Sequence, residues 1–512
     1  MASPDQSQQD VFAFLADPAS HGGTAVKRID THAASVFLAG ARALKVKHAV
    51  RFPFLDYSTL DRRQRACAAE LAVNRPLAPQ IYRGVVPITR EPDGRLALGG
   101  GGAPVEWVVE MRRFDETQTL DHLADQGRID AALADRLGRA VAVAHAQAPP
   151  VDAEPWLAAL ASFLDQNAAA WRERPDLFAP DQAAVLDQRS RAALARISPL
   201  VRDRGAKRLI RRGHDDLHLG NIVLIDGTPV LFDAIEFDPL IATGDVLYDL
   251  AFLLMDLIER GLNEAANVVL NRYLGETRRP EDLDALVALP FFLALRAAIR
   301  AKVTAARLDR AAKDARADIA RAAQSYFALA CRIIAPPRPV LVAIGGLSGT
   351  GKSVLARRLA PALAPAPGAV ILRSDVTRKA LFGKAETEQL PPEAYGEATT
   401  QQVYAAIAEQ ARRVLAAGHS TIADAVFARH NERAALAAVA RQCGVTFRGF
   451  FLTADVATRV ARVAGRKRDA SDADADVARQ QESYDVDSIE WTKIDASGTL
   501  GATLAQTKGA LP

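Results

Sequence analysis

Residues 346–353, with the sequence GLSGTGKS, constrain the fold of this chain more than any other segment. They match the pattern G-x-x-x-x-G-K-[ST], in which glycines let main-chain N–H groups point at phosphate oxygens. The continuous apolar run 340–344 precedes them, and the alanine- and leucine-rich run 354–363 follows. A buried strand, a phosphate-binding loop and a helix, in that order, predict a doubly wound parallel sheet.

Each residue type in this loop has a chemical reason to be there. The predicted nucleotide contacts are Gly346, Leu347, Ser348, Gly349, Thr350, Gly351, Lys352 and Ser353. We expect Lys352 to reach the β- and γ-phosphates of ATP and the Ser353 hydroxyl to bind Mg²⁺. The strand-like run 420–424 ends in Asp424, which is placed to hold the Mg²⁺ opposite Ser353. The alternative for Asp424 is a helix cap.

Further along, charged side chains follow another predicted strand. Asp375 ends the strand-like run 370–375, at the position where open α/β sheets place their ligands. Arg459, Arg462 and Arg466 recur at spacings of three and four, so they share one face of a predicted helix. These arginines either close over the transferring phosphate as a lid, with Arg462 and Arg466 contacting the nucleotide, or form a solvated basic face.

A second phosphate-transfer signature lies upstream, at residues 214–221 with the sequence HDDLHLGN. Asp216 precedes Asn221 by five residues, which is the spacing of kinase catalytic loops. The aspartate would accept the proton of the acceptor hydroxyl, and the asparagine would bind a metal ion. Asp233, after the predicted hairpin 223–232, is placed to be the second metal ligand. Zinc binding by the two histidines is disfavoured, because glycines flank the segment and no glutamate follows the first histidine.

An upstream lysine should contact the α- and β-phosphates and pair with a glutamate on a helix. Lys45 lies in the second strand of a predicted hairpin at 33–50, and Glu70 lies on the following predicted helix. Lys47 points to the same face of the strand as Lys45, so the sequence leaves the choice between them open. No glycine-rich loop stands between residues 29 and 36, where one would cover the phosphates.

Composition limits the class of protein and its partners. The 512 residues are 49% hydrophobic and 24% charged, with a net charge of +3 and only three scattered cysteines. These values predict a soluble cytoplasmic protein that binds neither membranes nor, by charge alone, nucleic acid. The proline-rich segment 335–339 predicts a boundary between a domain at 1–335 and a domain at 336–512.

Residues 25–260 resemble the aminoglycoside phosphotransferase family, which has a protein-kinase-like fold; the block 214–221 and Asp233 carry the likeness. That family usually has glycine where this chain has Asp215. Residues 338–500 resemble small P-loop kinases with an AAA-type ATP-binding domain, the zeta-toxin, polynucleotide kinase and gluconate kinase group. This second resemblance implies that Asp375 contacts or deprotonates an acceptor hydroxyl and that Arg378 helps to bind the acceptor.

The expected architecture is an α+β kinase-like bilobal domain followed by an α/β P-loop domain. We expect a two-domain phosphotransferase that moves the γ-phosphoryl group of MgATP to a hydroxyl group, with a small molecule as acceptor. The alternative is a single active P-loop kinase or ATPase, regulated by a kinase-like N-terminal domain that binds a ligand without turnover.

Overall fold

The computed structural model describes residues 6–511, apart from residues 32, 53–54, 239, 466–469 and 487. It divides into two compact units. Unit 1 comprises Met1–Ser162 and Val201–Asp256, and unit 2 comprises Phe163–Leu200 and Leu257–Pro512. Each helix of the described residues is too short or too polar to cross a lipid bilayer.

Unit 1 contains an antiparallel sheet followed by helices. Its strands are β1 (Val26–Asp30), β2 (Ala34–Ala39), β3 (Arg42–Lys47), β4 (Arg51–Phe52), β5 (Leu55–Asp56), β6 (Tyr82–Arg90), β7 (Leu96–Leu98), β8 (Ala103–Arg112), β9 (Ile210–Arg212), β10 (Ile222–Ile225), β11 (Thr228–Leu231) and β12 (Thr243–Asp245). Its helices are α1 (Gln6–Ala16), α2 (Leu60–Asn74), α3 (Leu120–Asp125), α4 (Ala131–Gln147), α5 (Ala153–Glu173), α6 (Pro180–Ala206) and α7 (Val246–Glu259), of which α5, α6 and α7 continue into unit 2.

The main sheet of unit 1 has the order β1-β2-β3-β8-β6-β7. Its apolar side chains pack against α1 and against one another, in a core that includes Phe37, Leu44, Val46 and Val108. Lys45 alternates with Leu44 and Val46 along β3, so it lies on the opposite face of the strand from them. The hairpin predicted at 33–50 is therefore present as β2 and β3, and it carries Lys45 on the face away from this core.

A second hairpin, β10 and β11, organises the metal-binding candidates. Asp226 and Gly227 at its tip both have positive φ, of 49° and 77°, which is the backbone that an Asp-Gly two-residue turn favours. Ile222 pairs with Leu231, and the N–H of Phe232 donates to the carbonyl of Asn221. This register brings Asn221 beside the residue that precedes Asp233.

Unit 2 contains a sheet that is parallel throughout. Its strands are β13 (Val340–Gly346), β14 (Val370–Arg373), β15 (Thr421–Asp424), β16 (Thr446–Thr453) and β17 (Thr492–Asp495). Its helices are α8 (Asn263–Thr277), α9 (Pro280–Asp284), α10 (Leu289–Ala306), α11 (Arg316–Ile333), α12 (Lys352–Leu359), α13 (Ser374–Leu381), α14 (Glu397–Ala416), α15 (His430–Cys443), α16 (Val456–Ala464), α17 (Ala475–Gln480) and α18 (Leu500–Gly509), and the ends of α5, α6 and α7 join them.

The strand order is β14-β15-β13-β16-β17, with the apolar strand β13 at the centre. Val342 and Ile344 of β13 are fully buried and pack with residues of α12 and the neighbouring strands. The carboxyl ends of parallel strands share one edge of a sheet, so the loop after β13 lies at the edge where β14 and β15 also end. This arrangement positions the candidate site of unit 2.

Candidate active sites

Lys45 lies between two carboxylates in unit 1. Its Nζ is 2.9 Å from Glu70 Oε1 and 2.7 Å from Asp233 Oδ1. Burial alone would lower the pKa of Lys45, but the charges of Asp233 and Glu70 outweigh it and raise the pKa well above its usual value. The lysine therefore remains cationic at neutral pH, with one carboxylate on the helix side and one on the side of the predicted metal site.

Lys47 shares the same glutamate. Its Nζ is 2.6 Å from Glu70 Oε2 and 2.5 Å from Glu236 Oε1, and the Tyr57 hydroxyl donates to that Glu236 oxygen at 3.0 Å. The Lys47 side chain is only 2% exposed, against 15% for Lys45. Of the two lysines that the sequence left open, Lys45 is thus the one that contacts Asp233. Sequence reasoning missed Glu236, although its position three residues after Asp233 was a usable signal.

Asp216 and Asn221 are brought together as their spacing suggested. The Asn221 amide nitrogen donates to Asp216 Oδ2 at 2.9 Å and to the Asp216 carbonyl at 3.0 Å. The Asp216 side chain is 38% exposed, so it is accessible to an acceptor hydroxyl. The preceding Asp215 is buried and has a φ of 57°, in the left-handed region where glycine is favoured.

Two acidic residues of α7 hold the main chain of this loop. Asp249 accepts hydrogen bonds from the N–H groups of His214 and Asp215, both at 2.9 Å. Asp256, two turns further along α7, accepts one from the N–H of Leu219 at 2.9 Å. Sequence reasoning missed both residues. A buried apolar helix that carries two acids seven residues apart was the available signal, since buried carboxylates need partners.

His214 is a structural member of the loop. Its Nε2 is 2.9 Å from the carbonyl of Phe232, which directly precedes Asp233. Burial lowers the pKa of His214 below its usual value of 6.5, so the ring is neutral at pH 7 and Nε2–H donates this bond. The imidazole thus ties the loop at 214–221 to the end of the β10–β11 hairpin.

The side chains predicted to bind metal supply oxygen atoms. In unit 1 they are the Asn221 amide and the Asp233 carboxylate, and in unit 2 the Ser353 hydroxyl and the Asp424 carboxylate. No group of three or more histidine, cysteine, aspartate or glutamate side chains that could hold a metal occurs within the described residues. A small set of oxygen ligands fits Mg²⁺, which is usually held by one or two carboxylates together with water and substrate phosphates.

The loop predicted to bind phosphate in unit 2 opens onto a cavity of about 1070 Å³. Gly346, Gly349 and Gly351 have φ values of 143°, 89° and 92°. Residues 348–353 line the cavity, as do Asp375, Arg378, Asp424 and Arg462.

Two residues of the loop have contacts within the protein. Lys352 Nζ lies 3.1 Å from the carbonyl of Leu347, and the N–H of Ser348 donates to Gln481 Oε1 at 2.6 Å. Gln481 was not foreseen from the sequence.

Asp375 lies in the first turn of α13, two residues after β14 ends. Burial raises the pKa of Asp375 above its usual value; the charge of Arg373 opposes this shift and that of Asp424 adds to it. Asp424 is itself buried, and its Oδ2 lies 3.4 Å from Arg373 Nε. A carboxylate with a raised pKa on the wall of a cavity has the properties of a general base.

Arg378 is buried on the wall of the same cavity. Its guanidinium donates to the carbonyl of Ala394 at 2.6 Å and to Thr400 Oγ1 at 3.3 Å, and it lies 5.1 Å from the centre of the Tyr395 ring. Tyr395 also lines the cavity and is 45% exposed. These contacts fix the guanidinium on the same wall as Asp375, and a role in binding the acceptor stays a prediction.

The three arginines of the predicted lid have different outcomes. Arg459 is fully buried, which excludes the solvated-face interpretation for it. Its guanidinium donates to the carbonyl of Ala478 at 3.0 Å and lies 3.5 Å from the carbonyl of Ser348 in the phosphate-binding loop, and a lid role stays a prediction. Arg462 lines the cavity and donates to the carbonyl of Gly498 at 3.3 Å. Arg466 lies outside the described residues. A helix whose basic residues follow one face can therefore turn part of that face inwards.

Both halves of the chain match protein-family models. Residues 38–286 match the phosphotransferase enzyme family, and residues 341–485 match an AAA-domain family. These matches confirm the two resemblances inferred from the sequence. They also confirm the predicted fold class, a kinase-like N-terminal domain followed by a P-loop kinase region with a parallel sheet.

Relatives resemble this chain along most of its length. Uncharacterised proteins of Mycobacterium tuberculosis and Mycobacterium bovis are each 29% identical to it over 485 residues, which is 93% of this chain and 93% of each relative. Among solved structures, a choline/ethanolamine kinase family protein of Mesorhizobium loti is 17% identical and covers 64% of this chain and 99% of its own, with a TM-score of 0.39. A gluconokinase of Sinorhizobium meliloti is 18% identical and covers 33% and 89%, with a TM-score of 0.25.

Proposed function

We propose that this phosphotransferase uses MgATP in two separate sites and transfers the γ-phosphoryl group to the hydroxyl group of a small molecule in each. The observation that carries the proposal is the position of Lys45 Nζ, 2.9 Å from Glu70 Oε1 and 2.7 Å from Asp233 Oδ1. That pairing supports a working site in unit 1, in addition to the complete phosphate-binding loop of unit 2. A lysine–glutamate pair next to a metal-binding aspartate is what kinase chemistry requires.

In the unit 1 site, Lys45 contacts the α- and β-phosphates, and Asn221 and Asp233 hold Mg²⁺. Bound Mg²⁺ supplies positive charge that offsets the charge developing on the phosphates. Asp216 accepts the proton of the acceptor hydroxyl while the oxygen of that hydroxyl forms a bond to the γ-phosphorus. The bond from that phosphorus to the bridging oxygen breaks, and ADP leaves. The pairing of Asp216 with the Asn221 amide, at 2.9 Å, supports these neighbouring roles.

In the unit 2 site, the main-chain N–H groups of residues 346–353 and Lys352 bind the phosphates, and Ser353 and Asp424 hold Mg²⁺. Asp375 takes the proton of the acceptor hydroxyl, and Arg378 binds the acceptor. Arg462 contacts the nucleotide, and the same role is proposed for Arg466. The lining of one cavity by Asp375, Arg378 and the loop supports this division of roles.

A small molecule fits the size of the unit 2 cavity. Its volume of about 1070 Å³ lies just above the usual range of ligand pockets, which suits a nucleotide together with a compact acceptor. The lining carries both acidic and basic side chains, among them Asp375, Glu432, Arg373 and Arg433. A polar acceptor with several hydroxyl groups matches this mixture better than an apolar one.

Calorimetry with a non-hydrolysable ATP analogue in excess Mg²⁺ tests whether there are two nucleotide sites. We expect two equivalents bound by the unaltered chain and one equivalent each by Lys352→Ala and Lys45→Met. Turnover is then measured with Lys352→Ala and Asp216→Asn against a panel of sugars, aminoglycosides and nucleosides. Each variant should retain the activity of the other site.

The regulatory alternative has a distinct signature in the same experiment. It is favoured by one observation: Asp215 brings a buried carboxylate next to the exposed Asp216, where the family usually has glycine. If Lys352→Ala abolished turnover with every acceptor while Asp216→Asn had no effect, the unit 1 site would be a ligand-binding regulator, and the proposal of two active sites would fail.

A further inference from the structure

A side chain to which neither the mechanism nor the comparisons assign a role holds the backbone next to the metal-binding aspartate. Asn74, the last residue of α2, is fully buried. Its Oδ1 accepts a hydrogen bond from the N–H of Ala234 at 2.7 Å, and its Nδ2 donates to the carbonyl of Ala234 at 3.1 Å. A single amide thus satisfies both main-chain groups of the residue that directly follows Asp233.

The same asparagine is fixed to the helix that carries Glu70. Asn74 Nδ2 also donates to the carbonyl of Glu70, one turn earlier in α2, at 3.1 Å. Residues four apart lie on the same face of a helix, so Glu70 and Asn74 face the site together. Helix α2 therefore fixes both positions: Glu70 sets that of Lys45, and Asn74 sets that of the backbone next to Asp233.

The backbone of Asp233 needs such support. Its φ is 61°, in the left-handed region that is sterically unfavourable for a residue other than glycine. The N–H of Asp233 donates to the Tyr82 hydroxyl at 3.2 Å on one side, and the bonds between Asn74 and Ala234 lie on the other. Hydrogen bonds on both sides hold this conformation, which determines where the carboxylate points.

We propose that Asn74 is a positioning residue, which sets the orientation of the Asp233 carboxylate for Mg²⁺ by holding the peptide groups of Ala234. The proposal rests on the function proposed above for the unit 1 site. Groups that orient a metal ligand contribute substantially to metal affinity although they do not touch the metal. Mg²⁺ affinity is thus expected to depend on a buried amide at the end of a helix.

The test uses the full-length chain with Lys352→Ala as its background, so that nucleotide-linked metal binding reports on unit 1. Mn²⁺ is titrated in the presence of ADP and followed by electron paramagnetic resonance. Asn74→Ala should weaken Mn²⁺ binding about tenfold or more, which is the usual effect of losing such a partner. Nucleotide affinity without metal should stay within about twofold, because Lys45 and Glu70 are unchanged.

Two further variants separate positioning from a general loss of structure. Cys67→Ala alters another fully buried residue on the same face of α2, whose Sγ contacts the carbonyl of Trp107, and it should leave Mn²⁺ affinity unchanged. Asn74→Asp keeps an oxygen to accept the N–H of Ala234 and loses the donor to the carbonyls of Ala234 and Glu70. Its Mn²⁺ affinity should lie between those of the background protein and Asn74→Ala. If Asn74→Ala fails to fold, the Mn²⁺ affinity of Asn74→Asp tests the proposal instead.

Unchanged Mn²⁺ affinity in folded Asn74→Ala, or an equal loss in Cys67→Ala, would overturn the positioning role. A background protein that binds Mn²⁺ and ADP but shows no turnover would refute the proposed catalysis in unit 1 while leaving the Asn74 comparison readable. A background protein that binds no Mn²⁺ with ADP would overturn both proposals.

Discussion

The ammonium group of Lys47 lies 2.6 Å from Glu70 Oε2, while the other oxygen of the same carboxylate serves Lys45. One fully buried glutamate thus balances two lysines that are two residues apart on β3. The two lysines differ in their second partner, since Lys45 meets Asp233 and Lys47 meets Glu236. Because of that difference, we expect substitution of the two lysines to have different effects.

Lys45→Met should abolish nucleotide binding in unit 1, because this lysine faces the predicted phosphates. It also leaves one oxygen of Glu70 without a cation, but it should destabilise the fold less than Lys47→Met, because its second partner Asp233 is 43% exposed and Glu236 only 7%. Lys47→Met should lower the free energy of unfolding by about 3 kcal/mol, because it leaves Glu236 and half of Glu70 buried without a cation. Chemical denaturation and nucleotide calorimetry on both variants measure the two effects. Equal loss of nucleotide binding in folded samples of both variants would contradict the division of roles.

Asp375→Asn should stabilise the protein at neutral pH while it abolishes acceptor phosphorylation by unit 2. Burial raises the pKa of Asp375, so its ionised form opposes folding. This cost is absent below the usual value of 3.8 and grows as the pH rises towards the raised value in the folded chain. The stability gain of the variant should therefore be largest at pH 7 to 8 and vanish towards pH 4. Thermal melts across this range measure it, and a gain that increases on acidification would refute the assignment.

His419 should make unit 2 sensitive to acid. It is fully buried, its Nε2 is 2.8 Å from the carbonyl of Gly368, and burial lowers its pKa to about 4. The stability that depends on the neutral ring is complete above pH 6.5 and is lost as the pH falls from 6.5 to 4, by about 3 kcal/mol in total. His419→Gln should flatten that part of the pH profile in chemical denaturation. An unchanged slope would show that other groups cause the acid sensitivity.

The P-loop segment should need α8 in order to fold as a monomer. β14 is an edge strand, and Asn271 of α8 takes the place of a neighbouring strand. The N–H of Ile371 donates to Asn271 Oδ1 at 2.7 Å, and Asn271 Nδ2 donates to the carbonyl of Ala369 at 3.1 Å. A fragment of residues 336–512 would expose these groups, and exposed edges favour aggregation. We expect it to aggregate in size-exclusion chromatography, while the 512-residue chain, which keeps α8 and the rest of unit 2, stays dispersed.

A monomeric fragment 336–512 that binds one equivalent of ATP would contradict this expectation. It would support the domain boundary predicted at the proline-rich segment. The 512-residue chain with Asn271→Leu is the matched control, because it retains α8 and loses the hydrogen bonds of the Asn271 side chain to Ile371, to Ala369 and to Asn267.

Sequence patterns were sufficient where a feature depends on neighbouring residues. The glycine-rich loop at 346–353, the buried strand before it and the Asp-Gly hairpin turn at 226–227 each rest on local backbone rules. The pairing of Glu70 with Lys45 was also predictable, because kinases pair a lysine on a strand with a glutamate on a nearby helix. Short spacings between residues were enough to predict the chemistry of these segments.

Features that depend on distant pairs were not accessible. Nothing near Asn74 in the sequence indicates that its amide meets Ala234, 160 residues later. Arg459 follows the same basic spacing as Arg462, yet only the packing of α16 determines which of them is buried. A spacing pattern defines the face of a helix, whereas the tertiary fold decides what that face meets.

The loop requires a left-handed backbone conformation at position 215, whichever residue occupies it. Glycine, usual in the family, adopts the conformation without steric cost, while here the N–H bond to Asp249 Oδ1 holds an aspartate in it. Glycine and aspartate can thus both adopt the backbone conformation that position 215 requires, and exchanging one for the other during evolution would leave Asp216 in place. The unusual residue is therefore compatible with an intact catalytic loop.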